Sequence, residues 1–285
     1  MNIFYIYGRS CSGKDSLLTN LSHVDGINVR KSNSKGKKKP LYIPSYTTRE
    51  VRESDKSWIT FPFRDEMKKV IENNKSILLC ADLYSIVNSD IQPDYSIKDS
   101  DYGKIKLLGL NTSGSIDVLE GDDVDDLNIY KMLTAHKATL AVCSNPKYKS
   151  YVAHYFLISK YTMINNNDEP TEVWYSRFIS SDMENVILCG DTDILTLLAE
   201  VDSDNLYTIN LISDNKTLLK RAIDRDDNVN EIIRRFNADR EAYKTPSNVN
   251  RANELKVFTN TLSTDNACYL VIGFINMILD PALYN

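Results

Sequence analysis

Gly8-Arg9-Ser10-Cys11-Ser12-Gly13-Lys14-Asp15-Ser16 follows directly on an apolar run, Ile3-Phe4-Tyr5-Ile6-Tyr7, and precedes Leu17, Leu18 and Leu21 at helical spacing. This is the pattern of a phosphate-binding loop between a strand and a helix. In a G-x-x-x-x-G-K-[ST] loop the glycines let backbone N–H groups curl around phosphates, the lysine spans the outer two, and the next hydroxyl holds magnesium. Here that last position is Asp15, with Ser16 one step later. Glycines fed by a strand sit at its carboxyl end, where open α/β sheets bind ligands. The helix that follows points its N-terminus, with free N–H groups, at the phosphates.

The 285 residues suffice for one large domain or two small ones. The composition, 42% apolar and 26% charged, is that of a globular protein. A net charge of −5 gives no global attraction for nucleic acid, so an anionic ligand must be held by local clusters of Lys and Arg. Small phosphates suit this better than duplex DNA. The five cysteines, Cys11, Cys80, Cys143, Cys189 and Cys268, are scattered with no C-x-x-C pair for zinc or redox work. That usage fits a reducing, cytoplasmic compartment. The first apolar run is too short for a cleavable signal and is ended by Arg9. Residues 267–279 are almost wholly apolar but too few to span a bilayer, so they read as a buried helix capped by Asp265 or Asn266.

The basic stretch 30–39 reads as a solvated loop, since it lacks the interleaved aromatics of a nucleic-acid patch. Residues 41–49 read as a strand that Pro44 places at an edge, 65–74 as a helix and 77–81 as a buried strand. From 83 to 183 the pattern is patchier, with turn-rich pieces at 89–101 and 165–170, a helix at 117–133, and strands at 138–143 and 151–159. The acidic residues Asp122, Asp123, Asp125 and Asp126 lack calcium-loop spacing and read as a solvated face. From 184 onward strands at 186–188, 206–212 and 255–259 alternate with helices at 192–200, 215–224 and 229–243. Such alternation implies a parallel sheet with crossover helices. The expected fold class is therefore α/β, a parallel sheet flanked by helices. One body comprises residues 1–82 and 184–285, and 83–183 is an insertion or enlarged lobe.

Two arginine constellations stand outside the loop. Ser45-Tyr46-Thr47-Thr48-Arg49-Glu50-Val51-Arg52 sets two arginines beside hydroxyl residues. The planar guanidinium fork binds phosphate bidentately, and the alternative is a pair of surface charges. Lys220, Arg221 and Arg225, then Arg234 and Arg235, flank an acidic turn; Arg221 and Arg225 share a helix face. Here the alternative is simple pairing with Asp224, Asp226 and Asp227.

In order and character, the loop, then S-x-T-T-R-x-x-R, then a late arginine-rich segment resemble guanylate kinase over residues 1–82 and 184–279. Leu219-Lys220-Arg221-Ala222-Ile223-Asp224-Arg225 with Ile233-Arg234-Arg235-Phe236 resembles that family's lid, and Val257-Phe258-Thr259-Asn260 its final strand. The loop itself is more similar to the G-P-S-G-S-G-K-D-S-L-L form of ribose 1,5-bisphosphate phosphokinase, a relative in which aspartate follows the lysine. The resemblance implies a P-loop NTPase fold with an acceptor-binding lobe and a helical lid. It implies that Ser45, Arg49 and Arg52 hold an acceptor phosphate, with Asp55 near its base or sugar and Tyr102 at the same site. It further implies that Asp191 lies near magnesium and acceptor, and that Arg221, Arg225 and Arg235 neutralise the transferring phosphate.

The expected activity is transfer of the γ-phosphoryl of ATP, with Mg²⁺, to the phosphate of a nucleoside monophosphate such as GMP or dGMP. The alternatives are a phosphosugar acceptor and a non-catalytic binding module. Residues Gly8, Arg9, Ser10, Cys11, Ser12, Gly13 and Lys14 would cradle the ATP phosphates, and Asp15 or Ser16 would contact Mg²⁺ directly or through water. Departures from the family concern the acceptor. Its guanine-reading glutamate aligns with Leu78, its tyrosine after the arginine pair with Ile59 or Trp58, its serine or threonine after Tyr-Gly with Lys104, and its first strand-end aspartate with Cys189. A pocket without the carboxylate that reads a base edge loses much of its selectivity. The partner is thus a small phosphate acceptor, with neither nucleic acid nor membrane expected, and the aromatic-rich 83–183 region offers a homo-oligomer contact or a second pocket.

Overall fold

The computed structural model describes residues 1–28, 39–49, 60–62, 105–143, 153–165, 167–180 and 183–283. The helix expected at 65–74, the strand at 77–81 and the turn-rich piece at 89–101 lie outside them, as does nearly all of the basic stretch. Two compact units divide the chain. Met1–Ile43, Thr162–Thr171 and Glu184–Asn285 form the first, and Pro44–Tyr161 with Glu172–Met183 the second.

Numbered along the whole chain, the first unit holds β1 (Asn2–Gly8), β2 (Leu41–Tyr42), β10 (Asn185–Gly190), β11 (Leu206–Ile212) and β12 (Glu254–Phe258) in one sheet, ordered β2-β10-β1-β11-β12. Every pairing in it is parallel. The continuous apolar run at the N-terminus becomes the central strand because its side chains are covered on both faces: Ile3, Phe4, Tyr5, Ile6 and Tyr7 are each 0% exposed. Burying each contributes about 1.5–3 kcal/mol.

Helices α1 (Lys14–His23), α3 (Thr192–Asp202), α4 (Asn215–Asp224), α5 (Val229–Ala242) and α6 (Thr264–Leu279) flank this sheet. Their apolar faces follow the helical period. Leu17, Leu18 and Leu21 are buried on α1, and Ala267, Cys268, Val271 and Ile275 on α6. The expected α/β class with a parallel sheet flanked by helices is what the first unit is.

The connection leaving β1 leads by way of α1 to β2 at one edge, whereas β11 is followed by β12 at the other. Strand order therefore reverses between β1 and β11. Crevices at the carboxyl ends of strands at such a switch point are where open α/β sheets take ligands.

The second unit is a seven-stranded sheet, ordered β4-β3-β9-β8-β7-β5-β6. Its strands are β3 (Ser45–Thr47), β4 (Thr60–Pro62), β5 (Ile105–Leu110), β6 (Ile116–Glu120), β7 (Ala138–Cys143), β8 (Ala153–Ile164) and β9 (Pro170–Ser180). Only the β3–β4 pairing among those registered is parallel. Ile129, Met132 and Leu133 of α2 (Asp126–Ala135) cluster with Ile105, Leu107, Ala141, Phe156 and Ile158. The tip of the β8–β9 hairpin, residues 162–171, belongs to the first unit.

Several expected boundaries are corrected. Residues 116–120 are a strand paired with β5, not the start of a helix; Gly121, in the left-handed region at φ 67°, ends it, and the helix starts after Asp125 caps it. The strand expected over 41–49 is two: β2 edges one sheet and β3 joins the other, separated at Pro44, which has no N–H to continue a ladder. The last helix begins at Thr264 with Ser263 as cap, its side chain accepting from the Asn266 N–H.

Candidate functional site

The loop after β1 is shaped by its glycines. A Cβ on Gly8 would stand 2.5 Å from the Leu211 carbonyl oxygen and 2.8 Å from Ser12 Oγ, so no other residue fits where the loop crosses β11. Gly13 takes a left-handed φ of 98° as the N-cap of α1, and no side chain caps that helix. Cys11 is left-handed as well, at φ 63°, a conformation that costs a non-glycine residue about 1–2 kcal/mol. The loop is fastened from behind: Thr259 Oγ1 donates to the Ser12 carbonyl at 2.8 Å, and the Ser12 N–H donates to the Arg9 carbonyl at 3.1 Å. Lys14 folds back over the loop, its Nζ donating to Gly8 O at 2.6 Å and Arg9 O at 3.1 Å. It lies 5.9 Å from the Tyr243 ring centroid. Asp15 and Ser16 are exposed in the first turn of α1.

Helix α4 delivers two arginines to the same loop. Arg221 donates through Nη1 to Cys11 O at 3.2 Å and through Nη2 to Thr259 O at 2.7 Å. Arg225 Nη2 reaches Cys11 Sγ at 3.0 Å and pairs with Asp227. Burial pushes the Cys11 thiol up, with the Arg225 charge opposing, so its pKa lies above the ordinary value.

Helix α5 faces the loop with residues spaced four apart: Glu231, Arg235 and Asp239, continued by Asp227 before the helix and Tyr243 after it. Glu231, 2% exposed, accepts from Arg234 Nε at 2.7 Å, from Arg235 Nε at 2.7 Å and from the Ile164 N–H at 2.8 Å. Burial alone pushes its carboxyl up; the Arg234 hydrogen bond, the Ile164 N–H and Arg235 outweigh it, and its pKa lies below the ordinary value. Arg235 also pairs with Asp227 at 3.4 Å. Asp239, 9% exposed, accepts the Ser10 N–H on Oδ2 at 2.7 Å. Burial, with the nearby carboxylates of Asp239 and Asp191, holds the Tyr243 phenol well above its ordinary range.

Between the loop and these helices opens a cleft of about 440 Å³ lined by Arg9, Asn215, Phe236, Asp239, Tyr243 and Lys244, with Asn237. Arg9 stacks its guanidinium 5.4 Å from the Phe236 ring centroid and donates from Nη1 to Asn215. Its Nε is buried without a hydrogen-bond partner among the described residues.

The structure thus gathers Gly8 through Ser16, Arg221, Arg225 and Arg235 within the first unit. Asp191 caps α3, its Oδ1 accepting from the Asp193 and Ile194 N–H groups at 3.1 and 3.0 Å. Ser45 and Arg49 belong to the second unit. There Ser45 is buried in β3, and Arg49 Nε donates to the Tyr175 hydroxyl at 3.2 Å. Arg52, Asp55 and Tyr102 lie outside the described residues, as do Trp58, Ile59, Leu78 and Lys104. Sequence reasoning missed Glu231, Asp239 and Tyr243, although their spacing of four on one helix face was there to be found. Among the described residues no group of three or more His, Cys, Asp or Glu is arranged to hold a metal ion. No described helix is long and apolar enough to cross a membrane.

No protein-family model matches the chain, and no curated protein does. Among solved structures, the chain is similar to guanylate kinase from Anaplasma phagocytophilum, with a TM-score of 0.40 and 8% identity over 97% of this chain and 85% of that chain. A likeness at that level bears on neither substrate nor activity. The class is defined by architecture: an α/β unit whose central parallel strand ends in a glycine-rich loop and a helix.

Proposed function

We propose that the chain is a phosphotransferase moving the γ-phosphoryl group of ATP to the phosphate of a nucleoside monophosphate, GMP, dGMP or a related acceptor. The observation that supports it most is the conjunction at residues 8–16. A glycine-shaped loop at the carboxyl end of the central strand carries a lysine and opens onto a helix N-terminus without a side-chain cap. Arginines 221 and 225 from α4 reach that loop, and cations there suit a reaction whose catalysis is mostly positioning and charge neutralisation.

In this reading an acceptor phosphate oxygen, already anionic at neutral pH, forms the new bond to the γ-phosphorus as the bond to the β–γ bridging oxygen breaks and ADP leaves. No general base is required. Lys14 would exchange its contacts with Gly8 O and Arg9 O for the β- and γ-phosphates, and Arg221, Arg225 and Arg235 would face the transferring group. The resemblance to guanylate kinase assigns Ser45, Arg49, Arg52, Asp55 and Tyr102 to holding the acceptor, and Asp191 to the neighbourhood of magnesium. The exposed carboxylate of Asp15 and hydroxyl of Ser16 are hard oxygen donors beside Lys14, which fits Mg²⁺ held through one or two side chains and phosphate oxygens. When bound, that ion supplies neutralisation of charge on the β- and γ-oxygens.

Leu78, standing where the resembling family has a base-reading glutamate, favours as second reading an acceptor other than guanine nucleotide, a phosphosugar included. The test is ADP release measured with a panel of nucleoside monophosphates and ribose phosphates, on the full chain and on Lys14→Ala. Stimulation by one acceptor class, abolished in Lys14→Ala, is the expected result. No stimulation by any acceptor, with ATP binding untouched by Lys14→Ala, would end the kinase reading.

A further inference from the structure

The Ser10 N–H lies in the stretch of backbone that a phosphate-binding loop turns toward its anion, and here it already has one. Asp239 Oδ2 accepts it at 2.7 Å, the short distance of a charge-assisted hydrogen bond. The carboxylate comes from α5, 229 positions along the chain, and is 9% exposed. One helical turn further on, Tyr243 lies under Lys14, whose ammonium is turned back onto Gly8 O and Arg9 O. One turn earlier, Arg235 is held by Glu231 and Asp227. A single face of α5 therefore covers an N–H of the loop with an internal anion and keeps Arg235 paired with internal carboxylates.

We propose that Asp239 is an internal competitor for the phosphate loop: it closes the cradle in the free chain, and a phosphate group must displace it to bind. This rests on the reading of residues 8–16 as a phosphate site and adds to it the residue that sets its affinity. A ligand whose binding-competent state is only fractionally populated binds weaker by that fraction. Displacement also releases the Asp239 end of α5 from the loop, so occupancy of the cradle and packing of α5 are coupled. A carboxylate is the appropriate stand-in because it presents an acceptor oxygen with negative charge, as phosphate does, and phosphate replaces it with more oxygens and more charge.

Asp239→Asn keeps the size of the side chain and removes the charge that competes. Binding of ATP and of inorganic tripolyphosphate to the full chain, followed by calorimetry, is expected to tighten on the order of tenfold in Asp239→Asn, the equivalent of one charge-assisted hydrogen bond. Asp280→Asn, which removes the same charge at the exposed end of α6, is expected to bind as the wild type does. Independently of any variant, hydrogen exchange on the wild-type chain is expected to quicken at residues 236–243 when tripolyphosphate is added.

Equal or weaker binding by Asp239→Asn, or slower exchange at 236–243, would overturn the proposal while leaving the phosphate site standing. Equal tightening in Asp280→Asn would assign the effect to net charge and overturn it too. If neither the wild type nor Asp239→Asn binds either anion, the reading of the loop itself falls, and the competitor with it.

Discussion

Arg221 ties the Cys11 carbonyl to the Thr259 carbonyl: one guanidinium, rooted on α4, donates through Nη1 at 3.2 Å to the loop after β1 and through Nη2 at 2.7 Å to the segment after β12. These segments are far apart in sequence and adjacent at the carboxyl end of the sheet. The arginine is therefore a brace of the loop before any ligand arrives. A lysine ammonium is a point charge that cannot span both carbonyls. Arg221→Lys is expected to lower stability by about 2 kcal/mol, the loss of a charged hydrogen bond to a part-buried acceptor. A shifted urea midpoint with unchanged slope is the measurement, and a midpoint equal to that of the wild type would refute the brace.

Cys11 sits in a left-handed conformation at φ 63°. Glycine adopts it without the Cβ clash, at the cost of its contact between Sγ and Arg225 at 3.0 Å, which is exposed. The strain outweighs that contact, so Cys11→Gly is expected to raise stability by about 1 kcal/mol. Thermal unfolding of the two chains decides it, and a lower midpoint for the glycine variant would mean that Arg225 gains more from sulfur than the backbone loses.

Tyr7 links the central strand to β12 through its hydroxyl, which donates to Glu254 Oε1 at 2.6 Å, with Thr245 Oγ1 at 2.8 Å. Burial pushes the Glu254 carboxyl up, but the hydrogen bonds from Tyr7, Thr245 and Asn210 together hold it below its ordinary value. Tyr7→Phe removes the shortest of those hydrogen bonds and leaves the buried Glu254 Oε1 with the Thr245 and Asn210 donors alone. A destabilisation of about 1.5–3 kcal/mol is expected at neutral pH, together with acid unfolding that begins at higher pH. Urea titrations at neutral and acid pH check both parts.

The parts of this molecule legible in its sequence are those whose cause is local. Ile3 through Tyr7, the glycines and Leu17, Leu18 and Leu21 state strand, loop and helix within two dozen residues, and the strand and helix are where that pattern sets them. The alternation after residue 184 was legible for the same reason. Of the second sheet, β7 and most of β8 were legible as apolar runs, but β9 was not, because it carries Arg177, 7% exposed, among its buried residues, which interrupts the apolar pattern that announces a strand. Pro44 concealed a change of sheet inside what reads as one strand. At the site, Asp227 was recognisable as a partner of the neighbouring arginines, and it pairs with Arg225 and Arg235. Asp239 was not, since its partner is a backbone N–H more than 200 positions away. No residue pattern encodes a contact whose acceptor and donor meet only after the sheet has formed.

Glu231 gives the α5 face a pH signature with a fixed sign. Its folded-state pKa lies below the ordinary value of 4.5, which stands for the unfolded chain. Below 4.5 the unfolded state therefore binds more protons than the folded one, and stability falls as pH falls. The stabilisation is complete above 4.5 and is lost as pH drops through the lower folded-state value. Glu231→Gln lacks that titration and lacks the charge that holds Arg234 and Arg235. The wild type is expected to exceed Glu231→Gln in stability by roughly 2–4 kcal/mol near neutrality, as for breaking a largely buried ion pair. That gap should narrow progressively as pH falls below 4.5. Paired denaturant titrations between neutral and strongly acid pH measure the gap directly, and subtraction removes the other carboxylates common to both chains. A gap that stays constant across the acid range would mean that Glu231 acts through shape alone, with no contribution from its charge.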